Sequence, residues 1–117
     1  MITISLDEGY VFDILAILNV KISESSGQTK DKIITNFQFL SNEIKNQIGE
    51  LLFNKIICSD EYKNLYNANK LVFDLVEKAK KDEVLASVVD LANYDRYLCK
   101  VKLQNKFFQT EIKEIKL

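Results

Sequence analysis

The sequence predicts an all-α fold, a single antiparallel bundle of four to five helices that spans residues 1–117 as one domain. Apolar residues recur every three to four positions along most of the chain, which is the spacing of one face of a helix. The chain has no proline and only three glycines, too few for the many tight turns of an all-β fold. Its 117 residues suffice for one hydrophobic core, so we expect no second domain.

The first helix is predicted from about Leu6 to about Ser23. Its predicted start is a capping box, in which the Ser5 hydroxyl caps the helix and Glu8 reaches back to the Ser5 amide. Apolar residues between positions 11 and 22 cover nearly the whole circumference of this helix. A helix that is apolar all round is a buried one, so we expect this segment to be buried.

The remaining segments also have helical spacing. The segment at positions 29–56 is predicted to be helical, and Gly49 either bends it as one long helix or divides it into two. Ser59 is predicted to start a further helix, and Asp82 opens the last, which should continue to about Gln109 or beyond. Because the connections are short, sequential helices should pack antiparallel.

A polar residue interrupts the buried first helix. On a helical wheel Asp13 falls between Ala16, Ile17 and Val20, which predicts that its carboxylate is at least half buried. Lys21 follows on roughly the same side of the helix. A lone buried carboxylate costs several kcal/mol, so Asp13 needs a partner or must become neutral.

The last helix offers that partner. Arg96, the only arginine, lies in the middle of an apolar stripe, and Asn93 and Lys100 flank it at i−3 and i+4. A guanidinium suits a bidentate pair with a buried carboxylate better than an ammonium does. We therefore predict that Asp13 pairs with Arg96 across the interface of the first and last helices. The stripe consists of Leu85, Val88, Val89, Ala92, Cys99, Leu103 and Phe107.

Three interpretations of this pair are open. It is a buried ion pair that fixes the register of two helices, or it belongs to a pocket for an anionic small molecule, or Arg96 extends into solvent and meets nothing. The residues that would line the pocket are Asp13, Lys21, Asn93, Arg96 and Lys100.

Composition argues against several function classes. The chain has no histidine, which removes the usual general base and the commonest zinc ligand, and we assign no catalytic residue. The carboxylates of Glu43, Glu50, Asp90 and Glu111 lack the close Glu-x-x-Glu spacing of helical magnesium sites, so we predict no metal and no cofactor. A net charge of −1 gives no basic field for nucleic acid.

The N-terminus lacks the basic region and cleavage site of a signal peptide, and no apolar run approaches the roughly 18 residues of a spanning helix. We therefore expect a cytoplasmic protein with no membrane partner. The two cysteines, Cys58 and Cys99, lie in apolar stretches and are expected to be small buried hydrophobes.

Two short motifs, Ser-x-Gly-Glu-Leu-x-Asp-Lys-x-x-Ile-Leu-x-Ile-Lys and Asn-Asp-x-Arg-x-x-x-Lys, have counterparts here. The matching positions are Gly9, Asp13, Ile17, Leu18, Val20, Lys21, Asn93, Arg96 and Lys100. On these residues the chain resembles a small bacterial family of unknown function, found alone or near glycosyltransferase and polysaccharide genes. Ser5 is displaced, and Tyr10, Ile14 and Tyr94 replace the family's Glu, Lys and Asp; a terminal Glu-x-Lys resembles positions 114–116. The resemblance implies no activity but selects the same polar residues.

The sequence thus favours a non-enzymatic helical module that binds another protein or itself. The aromatic residues and the long last helix could supply an apolar face for dimerisation. The alternative is a small ligand-binding protein or enzyme that uses the Asp13 and Arg96 region on an anionic metabolite, such as a sugar nucleotide or another phosphate.

Overall fold

A computed structural model of the protein describes residues 1–2 and 4–110, and the helices lie within this part of the chain. They are α1 (Glu8–Glu24), α2 (Gly27–Ile48), α3 (Glu50–Ile57), α4 (Asp60–Lys80) and α5 (Ala86–Phe108). No strand is present among the described residues. The predicted all-α bundle is confirmed, with five helices in the described residues.

Gly49 divides the second helical segment into α2 and α3. Its φ of +91° and ψ of 151° lie in a region that residues with a Cβ rarely adopt. The Gly49 N–H still donates to the Lys45 carbonyl at 2.9 Å, and its carbonyl accepts from Phe53 at 3.1 Å. Of the two alternatives the sequence left open, the two-helix arrangement is therefore the one that forms.

The predicted capping box at the start of α1 is wrong. The helix begins at Glu8, after an N-cap residue whose side chain makes no capping hydrogen bond. Instead the Gly9 N–H donates to the buried Gln104 Oε1 at 2.5 Å, and Gln104 Nε2 donates to Glu8 Oε2 at 2.7 Å. The first N–H groups of a helix have no acceptor within the helix and need one from elsewhere. Here a side chain from α5 supplies it, so Ser5 is not needed.

The starts of α4 and α5 differ in how well they follow local sequence. The predicted start at Ser59 is confirmed, because its hydroxyl accepts from the Tyr62 N–H at 3.1 Å. In contrast, α5 begins at Ala86, later than predicted. Asp82 has a φ of +57°, a left-handed conformation in which the chain turns rather than continues as a helix. The predicted end agrees, since Gln109 is the left-handed residue that follows α5.

The long helix α5 runs antiparallel to both α1 and α4. Gln104 bonds to Gly9 near the start of α1, whereas Arg96 lies by Asp13 further along it. Likewise Lys106 pairs with Glu61 at the start of α4. A core of side chains from all five helices fills the space between them. Its buried members are Phe12, Leu15, Ala16, Ile44, Phe53, Ile56, Tyr62, Leu65 and Leu103.

The prediction of two buried cysteines is wrong for Cys58 and only partly confirmed for Cys99. Cys58 is exposed, because it follows the last turn of α3, whereas Cys99 is half-buried on α5. The predicted resemblance at positions 114–116 lies outside the described residues. None of the helices described is long and apolar enough to cross a membrane.

Candidate functional site

Asp13 lies inside the bundle, as its position on the helical wheel predicts. Only 3 % of the residue is exposed. It is carried by α1, whose neighbouring Phe12, Leu15 and Ala16 belong to the core and draw the whole helix inward. Since an ionised carboxylate at such a place requires compensation, the groups around it define the first part of the candidate site.

Three side chains surround the Asp13 carboxylate. Asn69 Nδ2 donates to Oδ1 at 2.8 Å. Lys100 Nζ lies 3.6 Å from Oδ2, and Arg96 Nη2 lies 3.8 Å from the same oxygen. The predicted proximity of Asp13 and Arg96 is therefore confirmed, but the predicted bidentate geometry is wrong. A single contact at 3.8 Å is too long for a hydrogen bond, and the Lys100 ammonium holds the nearer position on Oδ2.

Lys100 is the more deeply buried of the two cations. Its side chain is 4 % exposed, against 28 % for Arg96. Its ammonium also lies 5.2 Å from the ring centre of Tyr10 and 6.0 Å from that of Tyr97. Aromatic faces attract a cation, so these rings help to compensate for its removal from water. The sequence places Lys100 only as a neighbour of Arg96. It does not indicate that Lys100 is the cation nearer to the Asp13 carboxylate.

Asn69 is the member of the site that sequence reasoning missed altogether. It lies on α4 between the buried Leu65 and Val72, on the same face of the helix. Residues on such a buried face are usually apolar. Its Nδ2 donates to the Leu65 carbonyl at 3.0 Å as well as to Asp13. A buried polar residue on an apolar stripe was the available signal, the same signal that selected Asp13.

Beside this cluster a small cleft of about 140 Å³ opens between α1, α4 and α5. Arg96 and Lys21 both line it, and Lys21 is exposed. The remaining lining residues are Ile17, Val20, Asn69, Val72 and Phe73. The structure thus brings two of the predicted site residues to one cleft and places Asp13 and Lys100 behind Arg96. Asn93 is half-buried on α5 and, among the described residues, neither lines this cleft nor bonds to Asp13.

A second feature lies on the opposite side of α5. Leu91 and Tyr94 are 68 % and 59 % exposed, and Leu98 is also exposed. The rings of Tyr94 and Tyr97 stack with their centres 6.4 Å apart. Leu85 and Val88, which belong to the apolar stripe predicted around Arg96, are exposed as well, so this stripe is not buried at its start. We call the exposed Val88, Leu91, Tyr94 and Leu98, together with the half-buried Val101, the outer stripe of α5.

The described residues contain no group of three or more His, Cys, Asp or Glu side chains placed to hold a metal ion. Glu111, one of the carboxylates considered for such a site, lies outside the described residues. The chain matches no family model, no curated protein and no solved structure. The resemblance to the bacterial family thus stays a prediction.

Proposed function

We propose that this protein is a non-enzymatic helical module that binds a second copy of itself through the outer stripe of α5. The observation that carries the proposal is the exposure of large apolar side chains along one helix, with Leu91 68 % exposed and Tyr94 59 % exposed. Single exposed apolar residues are ordinary, but a continuous row of them along one helix is typical of an interaction surface.

The row is aligned as a helix-pairing surface. Leu91, Tyr94, Leu98 and Val101 are spaced three, four and three residues apart, the spacing with which two helices pack along a shared seam. The four positions are symmetric about position 96, because Leu91 and Val101 lie five residues from it and Tyr94 and Leu98 lie two residues from it. A two-fold symmetric dimer needs such a self-complementary surface, in which each patch meets its own copy.

The charges beside the stripe favour an antiparallel pairing of two copies. Asp90 and Asp95 lie in the first half of α5, and the exposed Lys102 lies in the second half. Antiparallel pairing places the acidic half of one helix beside the basic half of its partner, whereas parallel pairing places like charges together. These charges support a second copy of the chain as the occupant.

The chain carries no histidine, and the proposed role requires no catalytic group. A cytoplasmic location is part of the same proposal. In this role the polar cluster around Asp13 fixes how α1, α4 and α5 pack, and thereby the face that α5 presents.

Sedimentation equilibrium over a range of concentrations tests the proposal. We expect wild type to approach twice the chain mass of 13.5 kDa, and Leu91→Glu and Leu98→Glu to stay at the mass of one chain. Leu51→Glu is the matched control, because Leu51 is 89 % exposed on α3, away from the stripe. Circular dichroism checks that each variant stays helical. A monomeric wild type, or stripe variants that associate as wild type does, would overturn the proposal.

A further inference from the structure

We propose that the cleft between α1, α4 and α5 binds one dianionic phosphate group, gripped by Arg96 and Lys21. The cleft lies on the inner side of α5, and the outer stripe faces away from it. The proposed phosphate site is therefore separate from the surface proposed for self-association, and each can be tested without the other.

The charges around the cleft favour a dianion. Asp13 supplies one negative charge, and the nearer, deeply buried Lys100 supplies one positive charge. Arg96 and Lys21 then remain as two further positive charges at the cleft. A phosphate monoester carries close to two negative charges at neutral pH, so it matches this excess, whereas a carboxylate matches only half of it.

The Arg96 guanidinium has N–H donors available to a ligand. Its contact with Asp13 is one ion pair at 3.8 Å, and within residues 1–2 and 4–110 it makes no hydrogen bond. A guanidinium has five N–H donors in a planar fork that suits phosphate oxygens. Asp13 thus holds Arg96 at the wall of the cleft without using its donors.

Lys21 lines the same cleft from α1. Across the described residues this ammonium makes neither a hydrogen bond nor an ion pair. It stands on a flexible stem at the exposed mouth, where it can close over an anion held by Arg96. Asn69 does not contribute a donor to the ligand, because its amide bonds to Asp13 and to the Leu65 carbonyl.

The walls and the size of the cleft define the ligand further. Ile17, Val20, Val72 and Phe73 line it with apolar surface, which lowers the local dielectric constant and strengthens charge pairing. Its volume of about 140 Å³ is below the roughly 300–1,000 Å³ of pockets that enclose a drug-sized ligand. The cleft therefore takes the phosphate group of a monoester and leaves the rest of the molecule outside.

Binding of phenyl phosphate to the full chain, followed by calorimetric titration at constant ionic strength, tests the site. We expect saturable binding by wild type, and a dissociation constant at least about tenfold higher for Lys21→Gln, since one charge-assisted hydrogen bond is lost. Lys32→Gln is the matched control, because Lys32 is an exposed lysine on α2 that does not line the cleft. Arg96→Gln should abolish binding, and circular dichroism checks its fold.

Lys21→Gln keeps the proposal falsifiable even if Arg96→Gln fails to fold, because an exposed side chain is replaced. Unsaturable binding, or equal affinity in wild type and Lys21→Gln, would overturn the site. Benzoate that binds as tightly as phenyl phosphate would overturn the assignment to a dianion. Leu91→Glu, which should prevent self-association, should bind phenyl phosphate as wild type does, so failure of one proposal is distinguishable from failure of the other.

Discussion

The Asn69 amide donates to the Asp13 carboxylate at 2.8 Å, and it is nearer to that carboxylate than either of the two cations beside it. The buried charge is therefore held by a neutral donor from α4 together with two cations from α5. This arrangement connects three helices at one carboxylate. It also separates the roles of the cations, since Lys100 is enclosed and Arg96 remains partly exposed.

Removal of Lys100 should destabilise the protein more than removal of Arg96. Lys100→Met leaves a buried carboxylate without its nearest charge, at an expected cost of about 3–5 kcal/mol, whereas Arg96→Met should cost about 1 kcal/mol because Arg96 is partly solvated. Urea denaturation measures both. Lys63→Met is the control for an exposed lysine outside the outer stripe, and Asp13→Asn combined with Lys100→Met should recover much of the loss. A larger cost for Arg96→Met would contradict this ranking.

Gln104, not Ser5, should determine the stability of the start of α1. Gln104→Ala removes the acceptor for the Gly9 N–H inside the bundle, at an expected cost of about 1–3 kcal/mol. Ser5→Ala should change the free energy of unfolding by less than about 0.5 kcal/mol. Thermal denaturation of both variants, with Asn105→Ala as the exposed neighbour control, checks this difference. Equal losses of stability in Gln104→Ala and Ser5→Ala would contradict this account and would indicate that Ser5 caps α1.

Stability should fall at alkaline pH because of Tyr62. Burial raises the pKa of Tyr62 from 10.0 to about 12, although the hydrogen bond from Asn19 opposes the shift. The folded state therefore binds the phenol proton more tightly than the unfolded state. The resulting stability is complete below pH 10.0 and is lost as the pH rises to about 12, by up to roughly 3 kcal/mol.

Urea denaturation at successive pH values measures this loss. Tyr62→Phe should flatten the alkaline fall in the free energy of unfolding, while Tyr66→Phe, on the same helix and outside the outer stripe, should leave most of that fall. The same fall in Tyr62→Phe as in wild type would show that another group titrates.

The two thiols should differ in reactivity. Cys58 is exposed, whereas burial raises the pKa of the half-buried Cys99 thiol, opposed by the nearby Lys102. Since the thiolate is the reactive form, iodoacetamide near neutral pH should label Cys58 first. Peptide mapping by mass spectrometry follows both sites, and denatured protein, in which both react, is the control. Faster labelling of Cys99 would contradict its burial.

The sequence predicts most of the fold because its signals are local. Apolar spacing locates the helices, Ser59 starts α4 by its own hydroxyl, and Gly49 marks the break between α2 and α3. The burial of Asp13 is equally predictable, because a helix that is apolar all round is buried together with any charged residue on it.

The missed features depend on contacts between distant segments. Gln104 caps a helix that starts 96 residues earlier, and no local pattern indicates this pairing. Asn69 reaches Asp13 only after α4 packs on α1. On α5, apolar residues occupy both the inner and outer faces, so a helical wheel cannot tell Leu85 and Val88 from true core residues.

Disulfide cross-linking tests the proposed antiparallel pairing of α5 most directly. Ser87 and Asn105 are exposed and lie at equal distances in sequence on either side of Arg96. In a background with Cys58→Ser and Cys99→Ala, each of Ser87→Cys and Asn105→Cys alone should stay uncross-linked on mild oxidation. A mixture of the two should give a covalent heterodimer, as two-fold pairing about position 96 predicts. No cross-link in the mixture, or each variant linking efficiently to itself, would contradict the pairing.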